Sequence, residues 1–476
     1  RTIAIGAGSR SNKSCAIAIG QFSRAIAVNA TAIGTNVSVS GNNGIAIGSE
    51  ANAGGENSTG VGTFAAANGN WSSAYGTKAN ASGGAAIAFG AGSVSSGVGS
   101  IALGTNASGT GDNSIVIGTE AEANASNAIA IGIEAVSNKI NTTAVGTLSR
   151  ATGNYASAYG TLANATGGGS MAFGAGSLAT GTGSIAHGVN STATDTNAVV
   201  FGTEAGAIAE DATAIGYSAL ALGVDSTAIG KKANASKLNA TALGAESKAS
   251  GISSTALGDA ANASALRAIA VGASARSSAQ SSTAIGSSAN ASSLGALAIG
   301  TLSNAAANDS IAIGYQSNSQ YANSTAIGAG SATNKADQIM LGKASTEVTV
   351  ANLTGTGTAI VVANAGGTLS RSNISDSGLD SLDCVGNGTN AVCYGPGANA
   401  TGKNTTAIGA GATAAKSGVA NTDDLGSTAL GAGATANGSN SVALGRQATA
   451  SGTNSTALGR LATASNDSSM ALGVQA

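Results

Sequence analysis

Every fourteenth residue from Gly6 to Gly342 is glycine. Twenty-five glycines hold that register without one insertion, in a chain where 72 of 476 residues are glycine, so composition alone cannot account for it. A fixed short period decides the architecture before any local structure is read, because each repeat becomes one unit that must stack on its neighbours. A slower repeat lies over the first. The stretch NWSSAYGTKANASGGAAIAFGAGSVSSGVGSIALG from Asn70 matches NYASAYGTLANATGGGSMAFGAGSLATGTGSIAHG from Asn154, an offset of 84 residues or six short repeats.

Within one repeat, side-chain size alternates in steps of two, the period of a strand and not of a helix. Immediately before the glycine stands a large residue: Ile19, Ile33, Ile131, Ile285 and Ile299, with Tyr75, Phe89, Leu103, Tyr159, Phe173, His187 and Phe201 in the same column. Three before it is another apolar residue or a threonine, such as Ile17, Ile101, Met171 or Thr213. Between them sits alanine, as at Ala18, Ala102 and Ala298, so the opposite face admits almost nothing larger. After the glycine, the third and fifth residues are again small, as in Ala51 and Ala53 or Ser247 and Ala249. The residue between those two varies, with Arg10, Arg24, Glu122, Arg150, Lys248 and Arg276 among its occupants.

These rules predict an all-β coil of two strands of about five residues, joined by tight turns in which glycine takes a backbone conformation closed to other residues. Stacked coils then hydrogen-bond at about 4.8 Å per step, giving a parallel β-roll roughly 115 Å long over the first 24 steps. The small residues of both strands face one another inside a narrow roll, so the large ones must point outward. A continuous exposed stripe of Ile, Leu and Phe exceeds the few hundred Å² that a monomer leaves uncovered. Burying an Ile-sized side chain is worth roughly 1.5–3 kcal/mol, which predicts self-association along the stripe, most simply as a closed parallel oligomer about a long axis.

Composition narrows the chemistry. With 9% charged and 3% aromatic residues and one proline, the chain lacks the side chains of an ordinary core, yet its positive mean hydropathy argues against disorder. A net charge of -2 leaves no basic patch from which to argue for nucleic acid or an anionic membrane surface. His187 is the only histidine, so neither a Ser/His/Asp triad nor a multi-histidine metal site fits within one chain, and no cofactor or enzymatic activity is expected. Three copies of His187 would meet only if three chains share the axis. The chain starts at Arg1 without Met, lacks a signal-like segment and holds no apolar run long enough to span a bilayer, and it reads as part of something longer.

The phrases NSTAIGAGSAT, DSIAIGYQS and NSVALGRQATASGTNSTALGRLATAS resemble the head repeats of trimeric autotransporter adhesins, the YadA-like surface proteins of Gram-negative bacteria. The resemblance implies a left-handed parallel β-roll, a homotrimer whose axis is lined by the large residues beside the glycines, an extracellular position and an adhesive role. The family's stalk and membrane-anchoring barrel have no counterpart in this sequence, so anchorage is implied by kinship alone. The division expected is a first head over 1–342, a neck or connector module over 343–390, where β-branched runs replace the small-residue rule, and a second head over 391–476. In the second head the step from Gly409 to Gly431 is 22, which places eight extra residues around SGVANTDDL in a bulge. Cys384 and Cys393 lie nine residues apart. A secreted protein favours a disulfide between them, while Cys393 also stands where alanine faces the interior and suits a small buried thiol. Cys15 is isolated.

Two functions remain. One is an adhesin head that attaches to host matrix, cells or abiotic surfaces through its variable outer face, by multivalent contacts. The other is a structural spacer of a surface or phage fibre without its own ligand. An ice-binding solenoid, suggested by Thr213, Thr227, Thr241 and Thr255 in register, is disfavoured because those threonines occupy the ridge.

Overall fold

The computed structural model describes residues 1–346, 348, 390–415 and 426–476, and the backbone of 359–363 and 369–375. Among the described residues all regular structure is β, and it divides into two units, Arg1–Glu347 and Val348–Ala476.

In the first unit the first strand of each coil pairs in parallel with the same strand of the next. Ile3–Ile5 lies against Ile17–Ile19, with Ile3 opposite Ile17, and the fourteen-residue register continues until Thr325–Ile327 lies against Ile339–Leu341. Twenty-five strands form this sheet. The second strands form another, from Arg10–Ser11 to Asn318–Ser319, also one coil per rung. The chain is therefore a parallel β-solenoid of fourteen-residue turns. Its strands are three and two residues long, shorter than the five expected, because each coil spends more residues on its corners.

Those corners explain the glycine ladder. From Gly6 to Gly328 the ladder glycines hold φ between 116° and 149°, a region that a side chain rarely enters. A second reason could not be read from the repeat. At Gly160, for example, an added Cβ would come within 2.6 Å of the Gly174 carbonyl oxygen, so the stacked corners also lie too close for any side chain. Each coil then passes through two left-handed corners, at the second and ninth residues after the glycine, where non-glycine residues take φ of 51° to 64°. At the first of these the Phe22 N–H donates to the Ala7 carbonyl of the preceding coil at 2.8 Å, while the Ser23 N–H closes the turn onto Gly20 at 3.3 Å.

Four small residues per coil fill the interior. In the coil that begins at Gly20 they are Ser23, Ala25, Ala30 and Ala32, all fully buried. The second pair repeats the first seven residues on, so a coil consists of two similar halves. Sequence reasoning found three of these columns and missed the one that holds Ala30, Ser72 and Ser114. The exceptions conserve volume. Val39 is among the largest fully buried side chains, and a Cβ on Gly44 would come within 2.7 Å of its Cγ1. Where serines face each other across the roll they pair, as Ser137 with Thr142 at 2.7 Å and Ser277 with Ser282 at 2.6 Å.

The regularity stops at Gly342, where φ falls to 73° and Met340 stands in the alanine column. In the second unit Ala359–Ala363 pairs antiparallel with Leu369–Ser375, unlike any pair in the rolls. Parallel stacking resumes at Val392–Tyr394 and builds a six-stranded and a five-stranded sheet. Thr406 pairs with Thr428, so the ladder keeps its rungs across the 22-residue step; the inserted stretch around SGVANTDDL lies outside the described residues.

Candidate interaction surfaces

The ridge is a continuous column of large, mostly apolar side chains along the first strands. Ile19, Ile33, Ile131, Phe173 and Ile299 are half-buried, while Tyr75, Phe89, Leu103, Tyr159, His187, Phe201 and Ile285 are exposed. Each contacts its counterparts one coil above and below, which is why Ile285 retains only 38% of its surface and not all of it. Where aromatic residues follow one another they stack along the axis of the roll. Tyr159 and Phe173 lie parallel with ring centroids 4.9 Å apart, and His187 continues the column at 5.9 Å from Phe173 and 5.4 Å from Phe201. The duplicated block holds a shorter version, Tyr75 on Phe89 at 5.9 Å.

The second-strand column faces outward as expected: Arg10, Arg24, Glu122, Arg150, Lys248 and Arg276 are all exposed. None makes an ion pair with a described residue. Only Arg10 and Arg24 are brought onto adjacent rungs; Glu122 and Arg150 are separated by Val136, and Lys248 and Arg276 by Asn262.

The corners are a third surface, at which sequence reasoning looked for specificity in the turns without naming a residue. Most corner residues are Asn, Asp, Ser or Gly, which tolerate the left-handed region, and the recurrent asparagines also bond to one another up the stack. Asn29 donates to Asn43, and Asn43 to Asn57, each at 2.9 Å. That recurrence was the available signal. Against it stand Phe22, Phe64, Trp71, Leu148, Tyr155 and Leu162, bulky side chains held at positive φ and exposed. Trp71 is 67% exposed and Tyr155 65%, and they occupy the same position in the two duplicated blocks.

Two open grooves run beside these columns. One, of about 600 Å³, is lined by Gly8, Ser9, Arg10, Phe22, Arg24, Asn36 and Ser38. The other, of about 550 Å³, is lined by Glu120, Glu122, Glu134 and Arg150 together with apolar residues that include Leu148 and Leu162. Among the described residues no group of three or more His, Cys, Asp or Glu is arranged to hold a metal ion. Cys15 is exposed and free; Cys393 opens the second roll, and its expected partner Cys384 lies outside the described residues.

The periodic text of both rolls matches the profile of the YadA head domain repeat, over residues 16–65, 81–107, 110–135, 137–163, 165–205, 207–247, 249–275, 277–331, 387–414, 425–448 and 450–476, well over half of the chain. The chain belongs to the YadA head family. A solved structure similar to it is the collagen-binding domain of Yersinia adhesin YadA, 24% identical, covering 46% of this chain and 82% of that one, with a TM-score of 0.16. At that superposition the family profile, and not the solved structure, places the chain. No curated protein matches. Membership in the YadA head family gives an adhesin-type role at the cell surface, and its solenoid is structural in kind.

Proposed function

We propose that this YadA-type head works as a homotrimer on the surface of a Gram-negative bacterium and attaches to extracellular matrix, cells or abiotic surfaces by many weak contacts. The observation that carries the reading is the ridge: in-register Ile, Leu, Phe and Tyr, half-buried or exposed along the first roll, with no other described residue to cover them. Three ridges facing a common axis would bury one another, and that burial suits the large residues from Ile19 to Ile299 better than solvent does. Association then leaves the corners and the second-strand column as the surface that meets a target.

Charge supports avidity over a single tight site. With 9% charged residues scattered over many coils, each coil offers little, and affinity must come from three chains engaging a dense target together. The test is retention of the purified chain on immobilised matrix proteins, on cells and on bare plastic, with its mass measured by sedimentation. A trimer that holds at least one of these at high density supports the reading. A trimer that holds none makes it a spacer, and a monomer removes the reason for the ridge.

A further inference from the structure

Charge is not spread evenly along the roll. Before Glu50 the chain has no Asp or Glu, while it carries Arg10, Lys13 and Arg24 in its first coils. The fold then sets Arg10 and Arg24 side by side on adjacent rungs of the second-strand sheet, both exposed, and neither side chain has an ion-pair or hydrogen-bond partner among the described residues. Like charges facing each other across a rung repel, and an anion between them removes the repulsion. A net charge of -2 for the whole chain gives no reason to look for a basic site, and the cations that precede Glu50 stand apart from that average.

The groove between them has a built wall. Phe22 sits at positive φ, 57°, which bulky residues seldom adopt, and its ring lies over Gly8 so closely that a Cβ there would come within 2.5 Å of the ring. Gly8 therefore makes room for a ring held beside two guanidinium groups. Asn36 and Ser38 complete the lining with amide and hydroxyl groups, and no carboxylate enters it.

We propose that this groove binds a sulfated polysaccharide, with Arg10 and Arg24 holding one sulfate ester and the face of Phe22 receiving the sugar ring. The inference rests on the adhesive reading above and names one of its ligands. Guanidinium groups meet tetrahedral oxyanions through paired N–H donors, whereas hydroxyls suit Asn36 and Ser38. A nucleic acid would need a basic track many rungs long, and the rungs above Arg24 hold Ser38 and Asn52, with Glu50 at the corner. A membrane would need a broad plane of cations, and the groove spans three coils.

The experiment measures binding of the full chain to an immobilised heparin-derived hexasaccharide and to its fully desulfated counterpart. Retention on the sulfated form alone is expected, weakening as salt rises. The double variant Arg10→Gln/Arg24→Gln should lower affinity roughly tenfold or more. Ser38→Glu, which sets a carboxylate on the rung beside Arg24, should do the same without removing an arginine, while Arg276→Gln should change nothing. Phe22→Gly separates recognition from folding, because glycine relaxes the corner: affinity falls while the melting temperature holds or rises. Equal retention of the desulfated sugar, or an unchanged double variant, overturns the proposal. Tighter binding to phosphatidylserine vesicles or to a single-stranded oligonucleotide overturns it as well. A head that ignores the hexasaccharide but still holds matrix or cells loses this site and keeps its adhesive role.

Discussion

The interior columns and the ridge run side by side along the same first strands, one residue apart, and obey opposite rules. Ala18, Ala130 and Ala298 have no exposed surface and almost no substitutes, while their neighbours Ile19, Ile131 and Ile299 give way elsewhere in the column to Tyr, Phe, Leu, Val and His. The interior is a closed volume shared by two strands, so each side chain is limited by the one opposite. The ridge is open on one side and limited only by its rungs. Folding of one chain is therefore decided by the small residues, and the large ones matter mainly to what covers them.

The comparison is broken most severely by making the interior or the ladder larger. Ala298→Leu inserts three carbons where Ala284 and Ala312 stack directly above and below, at a cost of at least about 1–3 kcal/mol, and neighbouring coils must shift with it. Gly160→Ala meets both the positive φ of 133° and the Gly174 carbonyl, and the backbone conformation alone costs roughly 1–3 kcal/mol. Both variants should lose hydrogen-exchange protection over the adjacent coils. A wild-type melting curve for Ala298→Leu would mean that the inner and outer faces are exchanged.

Ile131→Ala should do something different. Its side chain is half-buried by Ile117 and Val145 within the chain, so the melting of an isolated chain should fall by only about 1 kcal/mol. If three ridges share an axis, the same change leaves a cavity in every copy and weakens association by more than that. Sedimentation equilibrium of the variant decides it: equal loss in folding and in assembly would place the ridge in solvent.

How far this was legible in the sequence follows the same division. Interior and ridge are fixed by size, and size repeats at a period that the eye can count, so the roll, its register and its outward columns could be read. Corners are fixed by backbone conformation, which leaves only a preference for Asn, Gly, Asp and Ser that Phe22, Trp71 and Tyr155 break. The pairing of Arg10 with Arg24 was legible as spacing but not as a groove, because nothing in the text shows that Gly8 yields its volume to Phe22. The corners offer their own test. Tyr155→Gly should be neutral or stabilise the chain by up to about 1 kcal/mol, since it relieves a steric cost of roughly 1–2 kcal/mol at a φ of 61°, against roughly 0.5–1 kcal/mol for glycine's greater freedom when unfolded, and little of the tyrosine is buried. A lower melting temperature would show that the exposed ring is held by contacts that matter to folding.

The smallest effect is expected where the interior is polar without need. Ser137 and Ser277 face hydroxyl partners across the roll, and removing one member of such a pair strips the other of a hydrogen bond in a space closed to water. Ser184 is as fully buried, but its hydroxyl finds no partner among the described residues, and Ala179 occupies the corresponding place on the other strand. A buried hydroxyl without a partner carries its desolvation cost uncompensated, at roughly 1–3 kcal/mol, whereas a methyl group in its place carries none. The substitution removes only an oxygen and leaves a side chain found at Ala16, Ala30 and Ala86 in the same column. Ser184→Ala is therefore expected to be neutral or to raise stability by up to about 1 kcal/mol, while Ser277→Ala lowers it by a similar amount. Parallel denaturant melts of the two variants check the sign. If both lose stability equally, Ser184 has a partner after all, and the interior is more uniformly hydrogen-bonded than its alternation of Ala and Ser suggests.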